Sequence, residues 1–357
     1  MSNRILVINP GSTSTKVALY EGENEINTQE LNHSSEQINS CDDINDQLSF
    51  RRDAIHKYLQ GIDVAPNTLN AIAARGGIVG QLETGAYIVN DDLVWASKNS
   101  KVPHASNLAA VIAYEIAKEA GVSAYIYDAV CGCGTPDEIY TITGVPEIEK
   151  RFLTHVLNSR AVAIEQARRD EVSFEKSTYI VAHLGGGITV NLINNGKILD
   201  IVGDDEGAMS PERAGGVPCR SLVRLCYSGK YDEKSMQRKL RGNGGMEAYL
   251  GTNNLLDVQE SIEDGNDKAS LIYEAMTMQV AKDIGSLSTV VSGKIDKIIL
   301  TGGISQSSKF TKKIIERVEF IAPVSVMAGT FEMEALAFGI NRVLCGKEEC
   351  YTYWLSN

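Results

Sequence analysis

Two stretches of this chain carry the same plan. Residues 6–22 read LVINPGSTSTKVALYEG and residues 180–196 read IVAHLGGGITVNLINNG. Each is an apolar strand, a turn of small residues, an alternating strand and a polar turn. Gly11 corresponds to Gly185, 174 residues further along a chain of 357. A second pair repeats the relation: IAARGGI at 72–78 and IILTGGI at 298–304 both end an apolar strand in a double glycine. A repeat this long excludes a solenoid, whose period is roughly 20–50 residues, and predicts two related domains.

The first copy reads as a β-hairpin and not as a Walker loop, which needs Gly before its Lys and Ser or Thr after it. Here Thr15 precedes Lys16, Val17 follows, and KVALY alternates before the turn EGEN. A hairpin tip of this composition suits a phosphate. Glycine lets backbone amides approach, hydroxyls donate hydrogen bonds, and lysine adds a mobile positive charge. Taken alone, the segment also fits an ordinary hydroxyl-rich turn.

Helical stretches lie between the strands. SNLAAVIAYEIAKEAG at 106–121 has an N-cap in Ser106 and a stop in Gly121. KASLIYEAMTMQVAKDIGSLSTVV from 268 and EMEALAFGINRVL from 332 have helical apolar spacing. Strands alternating with helices predict an α/β protein. The expected organisation is one domain over 1–150 and a second over 151–334, with the C-terminal helix 335–357 packing back onto the first. Glycine hairpins from both lobes would clamp a nucleotide phosphate tail in a cleft.

Composition narrows the partners. The chain is 43% apolar and 22% charged, as a soluble globular protein is, and its apolar runs are far short of a membrane span. The N-terminus MSNRILVINPG lacks a secretion-type apolar core. A net charge of −12 argues against nucleic acid and anionic membranes. Seven cysteines, an odd number, fit reduced thiols in a cytoplasmic protein, and CGC at 131–133 has no second pair nearby to complete a metal site. A homo-oligomer, dimer or higher, is expected.

The sequence resembles the acetate and butyrate kinase family, within the superfamily of sugar kinases, actin and heat-shock chaperone ATPases. The resemblance runs nearly end to end and rests on INPGSTSTK, ARGGIVG, HASNLA, YIYDAVCG, HVLNSRA, AHLGGGITV, GAMSPERAGGVP and LTGGIS, in the family's order. HLGGG, SPERAGG and the NPGSTSTK loop look like the butyrate kinase branch. The acetate kinase branch typically reads HLGNG in the second loop and RYGFHGTS where this chain has RFLTHVLNS. The resemblance implies two actin-like, ribonuclease-H-like ATPase domains, ATP/ADP with Mg²⁺ as cofactors, and a short-chain carboxylate as acceptor.

The chemistry explains why cations matter. A carboxylic acid has a pKa of roughly 4–5 and is already a nucleophile at neutral pH, so no general base is needed. Charge stabilisation is needed instead, to bring one anion up to another. Arginine grips carboxylate or phosphoryl oxygens with two donors at once. By resemblance, Arg75 faces the transferring phosphoryl or the substrate carboxylate. The second family arginine falls on Arg213 or Arg220: spacing from the SP dipeptide favours Arg220, and the look of SPER favours Arg213. Asp128, ending the strand AYIYD, matches a Mg²⁺ ligand, with Glu332 or Glu334 as the distal acidic partner.

His155 is implied to stabilise the transition state, His104 to lie near the active site, and His183 to line the second phosphate loop. Asn9, Ser12, Ser14 and Lys16 form the first phosphate hairpin in family terms. Gly185, Gly186 and Gly187 form the second, facing the β- and γ-phosphates, and Gly302 and Gly303 sit against adenosine. His33 and His56 belong to no motif and read as surface residues. The leading expectation is transfer of the ATP γ-phosphoryl to butyrate. Isobutyrate, propionate or acetate is the alternative acid, and a sugar kinase or a non-enzymatic nucleotide switch is the more distant alternative.

Overall fold

The computed structural model describes residues 2–102 and 104–355. Of the expected 335–357 segment, residues 356 and 357 lie outside it. Among the described residues the strands are β1 (Arg4–Pro10), β2 (Ser14–Glu21), β3 (Asn24–Asn32), β4 (Ala71–Arg75), β5 (Ala86–Ile88) and β6 (Ser123–Tyr127), followed by β7 (Thr178–Leu184), β8 (Ile188–Asn194), β9 (Lys197–Val202), β10 (Lys297–Gly302), β11 (Val324–Ala328) and β12 (Cys350–Thr352). The chain divides into two compact units, Met1–Thr135 with Phe331–Asn357, and Pro136–Thr330. The divisions therefore fall after Thr135 and Thr330, where the sequence reading put them after 150 and 334.

The first unit holds a seven-stranded sheet in the order β12-β5-β6-β4-β1-β2-β3. β1, β2 and β3 form an antiparallel meander, while β1, β4 and β6 run parallel. The second unit holds a five-stranded sheet in the order β11-β10-β7-β8-β9. There β7, β8 and β9 form the meander, and β7, β10 and β11 run parallel. The five-strand plan is the same in both, so the duplication read from the glycine turns extends to the sheets. Both meanders break register between the second and third strands, at Leu19/Tyr20 and at Leu192/Ile193.

Burial follows the same logic. β1 and β7 are buried from their second residue onward and apolar there apart from Asn9 and His183, as strands covered by helices require. Ile5, Leu6, Val7 and Ile8 are fully buried, each contributing about 1.5–3 kcal/mol relative to exposure. Helices Ala105–Ala120 and Glu332–Leu344 pack on β1, β4 and β6. In the second unit, helix Asp267–Val290 packs on β7, β8 and β9, and helix Val156–Arg169 on β7, β8 and β10. β3, polar and largely exposed, is the free edge of the first meander.

One helix starts two residues earlier than its sequence suggested. The cap of Ala105–Ala120 is His104, whose Nδ1 accepts from the Ser106 N–H at 3.2 Å, and Ser106 itself is buried inside the first turn. The stop at Gly121 is as expected, with φ 71°. No helix among the described residues is long and apolar enough to cross a membrane.

Candidate active site

Parallel strands present functional groups at their carboxyl ends, and in both units the expected site residues lie there. In the first unit Asn9 is near the end of β1, Arg75 ends β4, and Asp128 directly follows β6. Asn9 Nδ2 donates to Glu332 Oε2 at 2.7 Å. Arg75 Nη1 approaches the same Glu332 oxygen at 3.3 Å and Asn9 Oδ1 at 3.5 Å. Those are long contacts, and the buried Arg75 Nε has no hydrogen-bond partner. A largely buried guanidinium so weakly engaged keeps donor capacity in hand, and an unmet buried donor is costly.

Of the two candidate glutamates, Glu332 joins this group and Glu334 does not. Glu334 lies near Tyr20 and Glu25, where burial and then the Glu25 charge push its carboxyl above the ordinary range. Asp128 is 2% exposed and takes a left-handed backbone, φ 42°. Its Oδ1 accepts from the Gly85 N–H at 2.8 Å. His104 is held by Ser106, with Nδ1 also 2.5 Å from Ser106 Oγ.

The first hairpin tip is exposed at Ser12 and Lys16. Ser14 Oγ donates to Glu30 Oε1 at 2.7 Å, and Lys16 stands opposite Asn9 in the β1–β2 register. Beneath the tip are two residues that sequence reading missed. Arg51 is fully buried there, and His33, read as a surface residue, is only 8% exposed, with Nε2 2.9 Å from Thr15 Oγ1. Burial and the Arg51 charge lower the His33 pKa to about 4, which keeps the ring neutral. His56 is half-buried and 3.2 Å from Glu119.

In the second unit the rings of His155 and His183 are stacked. His155 Nδ1 lies 2.9 Å from Thr189 Oγ1, and Asn158 Nδ2 lies 3.0 Å from His183 Nδ1 and 3.2 Å from Thr301 Oγ1. With the Asn158 amide donating, His183 Nδ1 accepts and the ring proton sits on Nε2, the atom nearest the Gly185 turn. Asn158 was inside the quoted motif HVLNSRA, three residues after His155, but only this packing assigns it a role.

The SPER segment is stitched to the glycine turn residue by residue. Ser210 Oγ donates to the Gly186 carbonyl at 2.6 Å. Arg213 lies so close to Gly187 that an added Cβ would meet Nη1 at 2.2 Å. Arg213 is ion-paired with Asp204; burial lowers its pKa, and the Asp204 charge opposes that. Arg220 is exposed on the first turn of helix Cys219–Cys226 and is not brought to the turn. Gly302 has φ 91° and passes so close to the Leu184 carbonyl that no side chain fits.

Pro211, Glu212, Gly185, Gly186 and Gly303 line a cavity of about 620 Å³ in the second unit, together with Asn253 and Gln306. That is a volume typical of ligand pockets, which run roughly 300–1,000 Å³. Among the described residues no group of three or more His, Cys, Asp and Glu side chains is arranged to hold a metal. Magnesium keeps several waters and takes other ligands from phosphates, so a lone carboxylate such as that of Asp128 is chemically able to serve as its protein ligand.

Residues 150–327 match the family described as the acetokinase family. The chain is 45% identical over 356 residues to butyrate kinase 2 of Clostridium acetobutylicum, covering 99% of this chain and 100% of that protein. It is 42% identical over 353 residues to butyrate kinase 1 of the same organism, covering 98% and 99%. The solved structure of Porphyromonas gingivalis acetate kinase superposes with a TM-score of 0.81 at 17% identity, covering 96% of this chain and 100% of that one. That likeness is one of fold, and the fold is the expected α/β pair of actin-like ATPase domains.

Proposed function

The chain belongs to the acetokinase family, and we propose that it phosphorylates butyrate reversibly: butanoate + ATP gives butanoyl phosphate + ADP. A carboxylate oxygen attacks the γ-phosphorus, forming an acyl C–O–P linkage. The bond from that phosphorus to the β,γ-bridging oxygen breaks, and ADP leaves with the electron pair. No proton moves, because the acid is already ionised at neutral pH with a pKa of about 4–5. The single observation carrying this reading is the 45% identity with a butyrate kinase over 99% of the chain.

The residues fit roles in that transfer. The weakly engaged donors of Arg75 suit an incoming carboxylate or equatorial phosphoryl oxygens. Arg213, fixed on the Gly187 backbone, supplies a positive charge beside the turn that we assign to the β- and γ-phosphates. Arg220 becomes the weaker candidate. The stacking of His155 on His183 supports assigning both as donors to phosphoryl oxygens, a contribution that grows in a site shielded from water. The cavity at Gly303 suits the adenosine. Asp128 is the carboxylate that would hold a magnesium ion brought by the nucleotide, and the ion would supply charge neutralisation there. ATP as substrate and seven free thiols suit a cytoplasmic enzyme.

Acyl-hydroxamate formation from ATP, hydroxylamine and a panel of acids tests the reading. Butyrate should give the highest specificity constant. Product with acetate at or above the butyrate level would reassign the acid, and none with any acid would remove carboxylate kinase activity altogether.

A further inference from the structure

The guanidinium of Arg51 is fully buried beneath the first hairpin, and every group it touches is neutral. All five of its hydrogens are used. Nε and Nη2 donate to Gln47 Oε1 at 3.1 and 2.9 Å. Nη2 also donates to the Ser12 carbonyl at 3.1 Å, and Nη1 to the Ser14 carbonyl and Thr15 Oγ1, each at 3.0 Å. His33, the nearest titratable ring, is kept neutral, and no carboxylate pairs with Arg51 among the described residues. Burial lowers the Arg51 pKa to about 10, so the group is still a cation at neutral pH. A buried charge without an opposite charge is costly, and such an arrangement calls for a reason.

The loop above supplies one. Three successive carbonyls face inward: Ser12 and Ser14 to Arg51, and Thr13 to the His33 N–H at 2.9 Å. The Gly11 N–H folds back onto the Ser14 carbonyl at 2.8 Å. The N–H groups of Ser12 and Thr13, both exposed residues, donate to no protein group among the described residues. Holding carbonyls on one side leaves amides on the other, which is how a backbone turn becomes an anion site.

We propose that Arg51 is a positioning residue for phosphate binding: it pins the hairpin carbonyls inward, presents the Ser12 and Thr13 amides, and leaves a positive charge that a bound phosphate neutralises. The inference rests on the reading of this hairpin as a phosphate loop. Lysine could keep the charge but has only three donors on a single nitrogen, and methionine keeps the approximate length without charge or donors.

The test compares full-length wild type, R51M and R51K, with ATP and adenosine affinities measured by calorimetry on protein shown to be folded by circular dichroism. R51M should lose about tenfold or more in ATP affinity while adenosine affinity holds, because charge-assisted bonds act on the phosphate alone. R51K should fall between R51M and wild type. An ATP-to-adenosine ratio within about twofold of wild type in folded R51M would overturn the proposal, leaving Arg51 as scaffold. If both variants fail to fold, amide exchange on wild type decides: ATP should slow exchange at Ser12 and Thr13, and unchanged rates would overturn the proposal. Wild type that binds ATP no more tightly than adenosine would instead sink the phosphate-loop reading, and the proposal with it.

Discussion

The imidazole of His155 lies flat on that of His183, with centroids 3.9 Å apart and planes inclined by 7°. The stack fixes two donors from different elements, one at the start of helix Val156–Arg169 and one in β7. Asn158 then sets the tautomer of His183 from behind. H155A should lower turnover with little change in ATP affinity, because its hydrogen bond matters as charge redistributes during transfer. ATP affinity that collapses while turnover survives would make His155 a ground-state contact.

Asn158→Ala removes the donor that keeps the proton of His183 on Nε2, and it touches no expected substrate position. Turnover should fall by about tenfold, less than the roughly 10²–10³-fold that deleting a donor outright costs, because the ring itself remains. Steady-state kinetics checks this, and an unchanged kcat would mean that the ring holds its tautomer without Asn158.

Arg75→Lys should lose on the order of 10²-fold in kcat/KM, since a point charge cannot reproduce the two-pronged guanidinium. Thermal unfolding should change little, because the wild-type contacts to Glu332 and Asn9 are long. A variant within about threefold of wild type would reduce Arg75 to a structural residue.

Arg213 and Arg220 are separated by paired variants. R213Q should be severely impaired and R220Q close to wild type, because only Arg213 is laid on the glycine turn. G187A should resemble R213Q, since its methyl would collide with the guanidinium. Comparable losses in R213Q and R220Q, measured as kcat/KM for butyrate, would restore the alternative assignment.

Asp283 predicts a pH dependence. Its carboxylate accepts from the Ala208 N–H at 2.6 Å, anchoring the loop that carries SPER. Burial pushes its pKa up from 3.8 to about 6; the Ala208 bond and the Lys282 charge work against the rise, and the Glu206 charge adds to it. The folded state therefore holds this proton more tightly than the unfolded state. The corresponding stability is present below 3.8 and lost as pH rises through about 6. D283N, which keeps an acceptor oxygen, should flatten the dependence of Tm on pH across that window. Parallel Tm profiles for wild type and variant would exclude Asp283 as the cause.

The glycine hairpins were legible because their signals are local. Alternation, small residues at a turn and a double glycine after an apolar run are properties of contiguous residues, and their recurrence at half-chain spacing announced two related sheets. The roles proposed for Arg75, His155 and the SPER segment came from family resemblance. Their arrangement was decided by packing between distant positions. Glu332 reaches Asn9 across 323 residues, which no periodicity encodes, and that contact selects it over Glu334. Arg213 and Arg220 differ only in which one the return of the SPER loop lays against Gly187. Arg51 in its polar helix looks like any surface arginine, and only the closure of that helix under the first hairpin, 36 residues from Thr15, buries it. Backbone propensity acts over a few residues, whereas burial and hydrogen-bond satisfaction depend on what the finished fold brings alongside.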